Sequence, residues 1–215
     1  MPMDTFLRLK EEKRSLIVSE GLNEFSRHNY QEANTDVITR TCNISKGSLY
    51  GYFGSKKEYY LYLVGHCLSV YQHANEQMPE GDAFYDLIFD SLSRKMRFIR
   101  EHPLETAFLA QAAREECTEV QKEKNQLLRS AMGQNELRFR ETLKSALQKL
   151  PLKPSADFEV VYKHMLLYAT AIQEDMLRSY QGKPEALFQQ EEHLKIELKQ
   201  GLDLLLYGIL REVSI

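Results

Sequence analysis

The stretch from Asn34 to Ser55 constrains the fold more than any other part of this chain. It holds two short runs of helical character separated by three residues, Cys42-Asn43-Ile44. Asn34 or Thr35 can cap the first run and Ser45 the second. A side-chain oxygen at a helix start accepts a backbone N–H that has no carbonyl partner inside the helix. Asn43 is one of the few residues other than Gly that tolerates a left-handed backbone, so a tight turn is feasible there. Gly54-Ser55 breaks the second run and opens a new one. Two short helices joined by such a turn, and braced by a longer preceding helix, have helix-turn-helix geometry. In that unit the second helix enters the major groove of DNA and the first crosses the backbone.

The residue types suit this task. Ile38, Ile44, Leu49 and Phe53 can lock the unit together, which leaves Lys46, Ser48, Tyr50 and Tyr52 to point outward. Lys46 can reach a phosphate or a guanine edge, and the three hydroxyls can bond phosphates or bases. Gly47 lets the backbone approach closely. Lys56, at the start of the next helix, is placed for a phosphate, and exposed N–H groups at that helix start also favour an anion. Taken singly, the tyrosines also suit packing and the lysines suit a solvated surface. The combined spacing is what favours DNA.

The run Ile44-Ser45-Lys46-Gly47-Ser48-Leu49-Tyr50-Gly51-Tyr52-Phe53-Gly54-Ser55-Lys56-Lys57-Glu58 resembles the signature of the tetracycline-repressor (TetR/AcrR) family. Phe25, Tyr30 and Ile38 fall where that family places an aromatic and apolar residues, and the resemblance covers about residues 8–64. It implies that Thr35 and Asp36 touch DNA from the second helix. It places Lys46, Gly47, Ser48, Tyr50 and Tyr52 on the recognition helix and makes Lys56 a phosphate contact. The chain departs from the family in its turn, where Cys42-Asn43 stands for the common Ala-Gly, and in Thr39, where a small Ala is usual. Asp36, an acid beside DNA, is better suited to a cytosine amino group or to helix capping than to phosphate.

The whole chain reads as all-α, with about nine helices. The first runs from Thr5 to Arg27. Beyond the short pair come helices at about 56–77, 82–101, 104–115, 118–149, 157–180 and 185–213, with Pro and Gly clusters between them. The expected organisation is a helix-turn-helix domain over 1–56 (motif about 33–52), a connecting helix over 57–78, and a helical ligand-binding and dimerisation domain over 79–215. The net charge of −3 divides unevenly. Residues 1–57 carry nine Lys/Arg against seven Asp/Glu, so the rest carries −5. A mildly basic head on an acidic body fits DNA binding by one end.

Several functions are disfavoured. The Ser, His and Asp residues match no nucleophile elbow, so no enzyme is expected. His66 and His73 lack a nearby ligand set, and Glu115, Glu116, Glu119 and Glu123 read as a solvated helix face, so neither a metal nor a cofactor is expected. Cys42, Cys67 and Cys117 are odd in number and far apart, which suits a reducing cytoplasm. No apolar run is long enough to span a membrane, and no secretion signal is evident.

An aromatic-rich stretch offers pocket candidates in Tyr62, His66, Phe89 and Met96, suited to a small lipophile. Ordinary core packing is the alternative for each. The last two helices carry broad apolar surfaces, with Tyr168, Ile172, Leu202, Leu206 and Ile209 as interface candidates. Burial within one chain is the alternative there, whereas the resemblance implies a two-fold four-helix bundle. The expected protein is therefore a cytoplasmic homodimeric repressor that binds near-palindromic, double-stranded operator DNA and is released by a small effector. The competing expectation is a ligand-binding or adaptor module of the same fold that has lost operator binding.

Overall fold

The computed structural model describes residues 2–74, 83–153, 157–179 and 189–207. Among them the chain is all-α. Ten helices follow in order: α1 Asp4–Leu7, α2 Glu11–Arg27, α3 Thr35–Thr41, α4 Lys46–Phe53, α5 Lys56–Ala74, α6 Phe84–Glu101, α7 Pro103–Arg114, α8 Thr118–Gln148, α9 Phe158–Ser179 and α10 Glu191–Tyr207. The turn at Gly182-Lys183-Pro184 lies outside the described residues. No described helix is long and apolar enough to cross a membrane.

The chain forms two compact units, and the first is discontinuous. Met1–Glu76 joins Glu101–Asn135 in one, and Gln77–Arg100 joins Glu136–Ile215 in the other. This partition cuts the chain differently from the 1–56, 57–78 and 79–215 division. α7 and the first half of α8 belong with the N-terminal helices because their apolar residues share one core. Phe108, Ala112 and Val120 are buried together with Ile17, Leu22 and Phe25 of α2 and with Tyr60, Val64 and Cys67 of α5.

The first helix is not continuous from Thr5. It breaks at Arg8-Leu9-Lys10, where Lys10 takes an extended ψ of 147°. The cause is Phe6, which is 1% exposed and packs on Phe53 (ring centroids 4.7 Å apart) and Tyr62 (5.6 Å). The Met3 N–H donates to the Tyr52 carbonyl at 2.8 Å and closes α1 onto the end of α4. An uninterrupted helix carries Phe6 away from these partners. No Gly or Pro marks the break, so local sequence rules do not find it.

In the second unit, Leu87, Ile88, Leu92 and Met96 of α6 bury against Leu143 and Leu147 of α8, Val161 and Met165 of α9, and Leu194, Leu198, Leu202 and Leu206 of α10. The close approach of α9 and α10 depends on Gly201. A Cβ there would stand 2.6 Å from Tyr168 Cε1 and closer still to its Cζ and hydroxyl.

Candidate nucleic-acid interface

Local side-chain chemistry sets the helix-turn-helix. Asn34 Oδ1 accepts the Asp36 N–H at 2.9 Å and caps α3. Asn43 takes φ +48°, the left-handed turn read from the sequence. The Lys13 ammonium donates to the Cys42 carbonyl and satisfies an acceptor at the end of α3. Ser45 Oγ accepts the Ser48 N–H at 2.9 Å and caps α4. Gly54, at φ +83°, ends α4, and its N–H donates to the Tyr50 carbonyl at 2.7 Å. Leu49 and Phe53 are buried, which fixes α4 by its inner face and turns the opposite face outward.

On that outer face Lys46 and Gly47 are exposed. A Cβ at Gly47 would meet only Ser45 Oγ, at 3.6 Å, so the fold itself does not require glycine there. Ser48 shares its hydroxyl with Ser45 at 2.8 Å. Tyr50 and Thr35 join hydroxyls at 3.1 Å. Thr35 is 5% exposed, so it holds Tyr50 rather than presenting itself. Lys46 Nζ pairs with Asp36 Oδ1 at 2.9 Å. The hydrogen bond to Asp36 raises the Lys46 pKa.

Two expected contacts face inward instead. The Tyr52 ring packs on Phe6 at 6.0 Å and on Phe53. Lys56 donates to the Ala33 carbonyl at 2.6 Å and to the Gln31 carbonyl at 3.3 Å, with its ammonium 5.0 Å from the centre of the Tyr30 ring. Burial lowers its pKa. Lys56 thus fastens the loop before α3 onto α5.

A polar latch that the sequence did not reveal holds this loop from the other side. Glu115, 8% exposed, accepts the Tyr30 N–H at 2.6 Å with one oxygen and the Cys117 N–H at 2.8 Å with the other. The Tyr30 hydroxyl donates to Glu119 at 2.6 Å, and Lys57 pairs with Glu123 at 2.7 Å. Lys124, 1% exposed, donates to the Ala112 and Glu115 carbonyls at 2.8 and 2.6 Å and so caps the end of α7. The solvated-face reading of these glutamates is therefore corrected. Glu116 is exposed, but Glu115 is buried, and Glu119 and Glu123 bind Tyr30 and Lys57. Their partners lie 66 to 89 residues away, beyond the reach of helical spacing.

The four pocket candidates divide between the units. Tyr62 and His66 stack at 6.3 Å in the first unit. In the second, Met96 is 2% exposed and Phe89 stacks on Tyr85 at 6.1 Å. A separate concavity of about 510 Å³ along α8 is lined by Lys122, Asn125, Gln126, Arg129 and Ser130 and shares no residue with that set.

Burial lowers the His66 pKa, with Glu105 opposing. A His whose pKa the fold lowers contributes stability that is fully present above its unfolded pKa of about 6.5 and is lost as pH falls below it. The thermal midpoint is therefore expected to drop faster between about pH 6.5 and 5 in the wild type than in His66→Gln. Parallel curves from pH-dependent melts would show that His66 plays no such part.

Of the interface candidates, Leu202 and Leu206 are 0% and 1% exposed and face their own core. They have no surface left to offer a partner. Tyr168 and Ile172 are half-buried against the same core, and Ile209 lies outside the described residues. Among the described residues, the large apolar side chains left open on α9 and α10 are Val160, Leu167, Ile196, Leu204 and Leu205.

Comparison with known proteins places these features in context. The sequence profile described as "Bacterial regulatory proteins, tetR family" matches residues 17–63, the segment from α2 to α5. A curated relative, the uncharacterized HTH-type transcriptional regulator YhgD of Bacillus subtilis (strain 168), is 22% identical over 153 residues, covering 71% of this chain and 80% of YhgD. A TetR family transcriptional regulator from Chloroflexus aurantiacus superposes with a TM-score of 0.72 at 23% identity, covering 99% of this chain and 100% of that one. SmeT of Stenotrophomonas maltophilia, solved as a complex with triclosan, superposes at 0.60 with 14% identity, covering 94% and 93%.

Proposed function

We propose that the chain is a transcriptional regulator of the TetR kind, a reading supported by the match over residues 17–63 and by the shared fold, and that it is a cytoplasmic, homodimeric repressor of double-stranded operator DNA. The observation that carries the reading is the outer face of α4. Caps at Ser45 and Gly54 and the left-handed Asn43 fix this helix, and Lys46, Gly47, Ser48 and Tyr50 stand on its open side. Asp36 flanks them from α3. Thr35, Tyr52 and Lys56 act by positioning: Thr35 holds Tyr50, Tyr52 seats the end of α4, and Lys56 holds the loop before α3.

Two subunits that present α4 to successive major grooves require a near-palindromic site. The open apolar residues of α9 and α10 support self-association, since exposed apolar patches mark interaction surfaces. The effector is a small lipophile, a class favoured by the aromatic residues around Tyr62 and His66 and by the SmeT–triclosan complex. Binding of effector shifts the dimer toward a conformer whose two α4 helices no longer match the grooves.

The test is binding to the intergenic DNA upstream of the protein's own gene at low and moderate salt. Lys46→Ala is expected to weaken binding and to reduce the log–log salt slope by about 1 per protomer. Gly47→Leu is expected to leave the thermal midpoint nearly unchanged while weakening DNA binding, because the fold has room for the side chain and a close-lying duplex does not. A folded dimer that binds at neither salt sinks the operator reading.

A further inference from the structure

The pair between Lys46 and Asp36 sets a cation of the proposed reading face against an acid of the same protein. The two side chains are 51% and 52% exposed, and they meet at 2.9 Å between the starts of α3 and α4. Helix capping does not occupy the carboxylate, because Asn34 caps α3. Nor does burial compel the pair, as both groups are open to water. Asp36 therefore does not cap α3, and its carboxylate is engaged by Lys46 instead. Its partner is the lysine best placed to meet DNA.

An ammonium carries three N–H donors and no acceptor. Lys46 can hold Asp36 with one donor and a neutral acceptor, such as guanine O6 or N7, with another. A phosphate is different. Brought to the same ammonium, its negative charge lies beside the Asp36 carboxylate, and like charges at such range repel. Phosphate contacts supply nearly all non-sequence-specific affinity, whereas base edges supply discrimination.

We propose that Asp36 is a selectivity residue, which biases Lys46 away from phosphates and toward uncharged base-edge acceptors and so lowers affinity for random DNA. The proposal rests on the DNA-binding reading above. Asp36 acts through Lys46 and touches no base itself.

Four proteins decide it: wild type, Asp36→Asn, Lys46→Gln and the double variant. Each is titrated on a random-sequence duplex and on a site selected by the wild type from a randomised pool. Asp36→Asn is expected to tighten binding to the random duplex and to narrow the preference for the selected site. Its salt slope on random DNA is expected to steepen by about 0.9 per protomer, so that a dimer's advantage shrinks about tenfold between 50 and 200 mM salt. In the Lys46→Gln background, Asp36→Asn is expected to leave that slope unchanged. Both side chains are exposed and the α3 cap stays, so the variants keep the fold, which far-ultraviolet circular dichroism checks.

Three outcomes overturn the proposal while leaving the DNA-binding reading intact. One is an Asp36→Asn slope equal to that of the wild type. Another is the same slope change with Lys46 absent, which marks a general effect of net charge. The third is loss of the selected site alone with random binding unmoved, which makes Asp36 a base reader. Failure of the wild type to bind either duplex at 50 mM salt removes the reading itself and the proposal with it.

Discussion

Gly21→Ala is expected to destabilise the N-terminal unit by about 2–3 kcal/mol, even though alanine is the better helix former. A Cβ at position 21 would stand 2.6 Å from Tyr59 Cζ and 2.8 Å from Leu63 Cδ1, and closer still to the Tyr59 hydroxyl. The ring cannot swing aside. Tyr59 is 0% exposed, its hydroxyl donates to the Ile17 carbonyl, and Phe53 lies 4.5 Å from it, centroid to centroid. Mid-helix alanine returns about 1 kcal/mol over glycine, too little to offset the overlap. Thermal melts should show a fall of about 10 °C or more. Removing the hydroxyl in Gly21→Ala/Tyr59→Phe should recover part of it, although Ile17 then loses its donor. A wild-type midpoint for Gly21→Ala would show that α2 and α5 are not packed this closely. The prediction bears on function because α2 and α5 frame the core on which α3 and α4 sit.

Glu115→Ala is the second large effect, about 3 kcal/mol, and its origin is different. The substitution leaves space, but it strands the Tyr30 and Cys117 N–H groups, both held at present by one buried carboxylate. An unpaired buried donor costs about 1–3 kcal/mol, well above the net value of the bond it lost. Glu115→Gln should fall between the two, because an amide keeps one acceptor oxygen and turns its N–H₂ toward the other donor. Urea denaturation measures the size of the loss. Hydrogen exchange locates it, with faster exchange expected at the amides of Tyr30 and Cys117. Unchanged protection at both would show that Glu115 does not hold this loop. Because the loop leads directly into α3, the variant should also bind DNA less tightly.

These two sites show where sequence stops being informative. The caps at Asn34 and Ser45 and the left-handed Asn43 were legible because each joins a side chain or a backbone torsion to atoms within three residues. The all-α fold was legible for the same reason, since helical periodicity is local. The inward turn of Lys56 was not. A lysine at a helix start looks like a phosphate contact until the carbonyls of Gln31 and Ala33 arrive from 25 and 23 residues away. Leu202 and Leu206 looked available to a partner because an apolar stripe does not state which body it faces. Their own core takes both, and the open positions are Leu204 and Leu205 beside them. Glu115 and Lys124 were hidden because charged residues are seldom fully buried without a partner, and their partners could not be seen.

The split composition of the first unit carries a consequence for how the protein is made. Its core is not complete when residue 76 leaves the ribosome. Phe108, Ala112 and Val120 are still to come, and the side of Tyr60 that meets the Phe108 ring at 5.6 Å stays open until they do. The nascent head must wait through residues 77–100, which belong to the other unit, before its last layer is synthesised. Closing long loops is slow, and apolar surface bared in the meantime invites aggregation. The core beneath α3 and α4 is therefore finished only once translation has passed α7 and the start of α8.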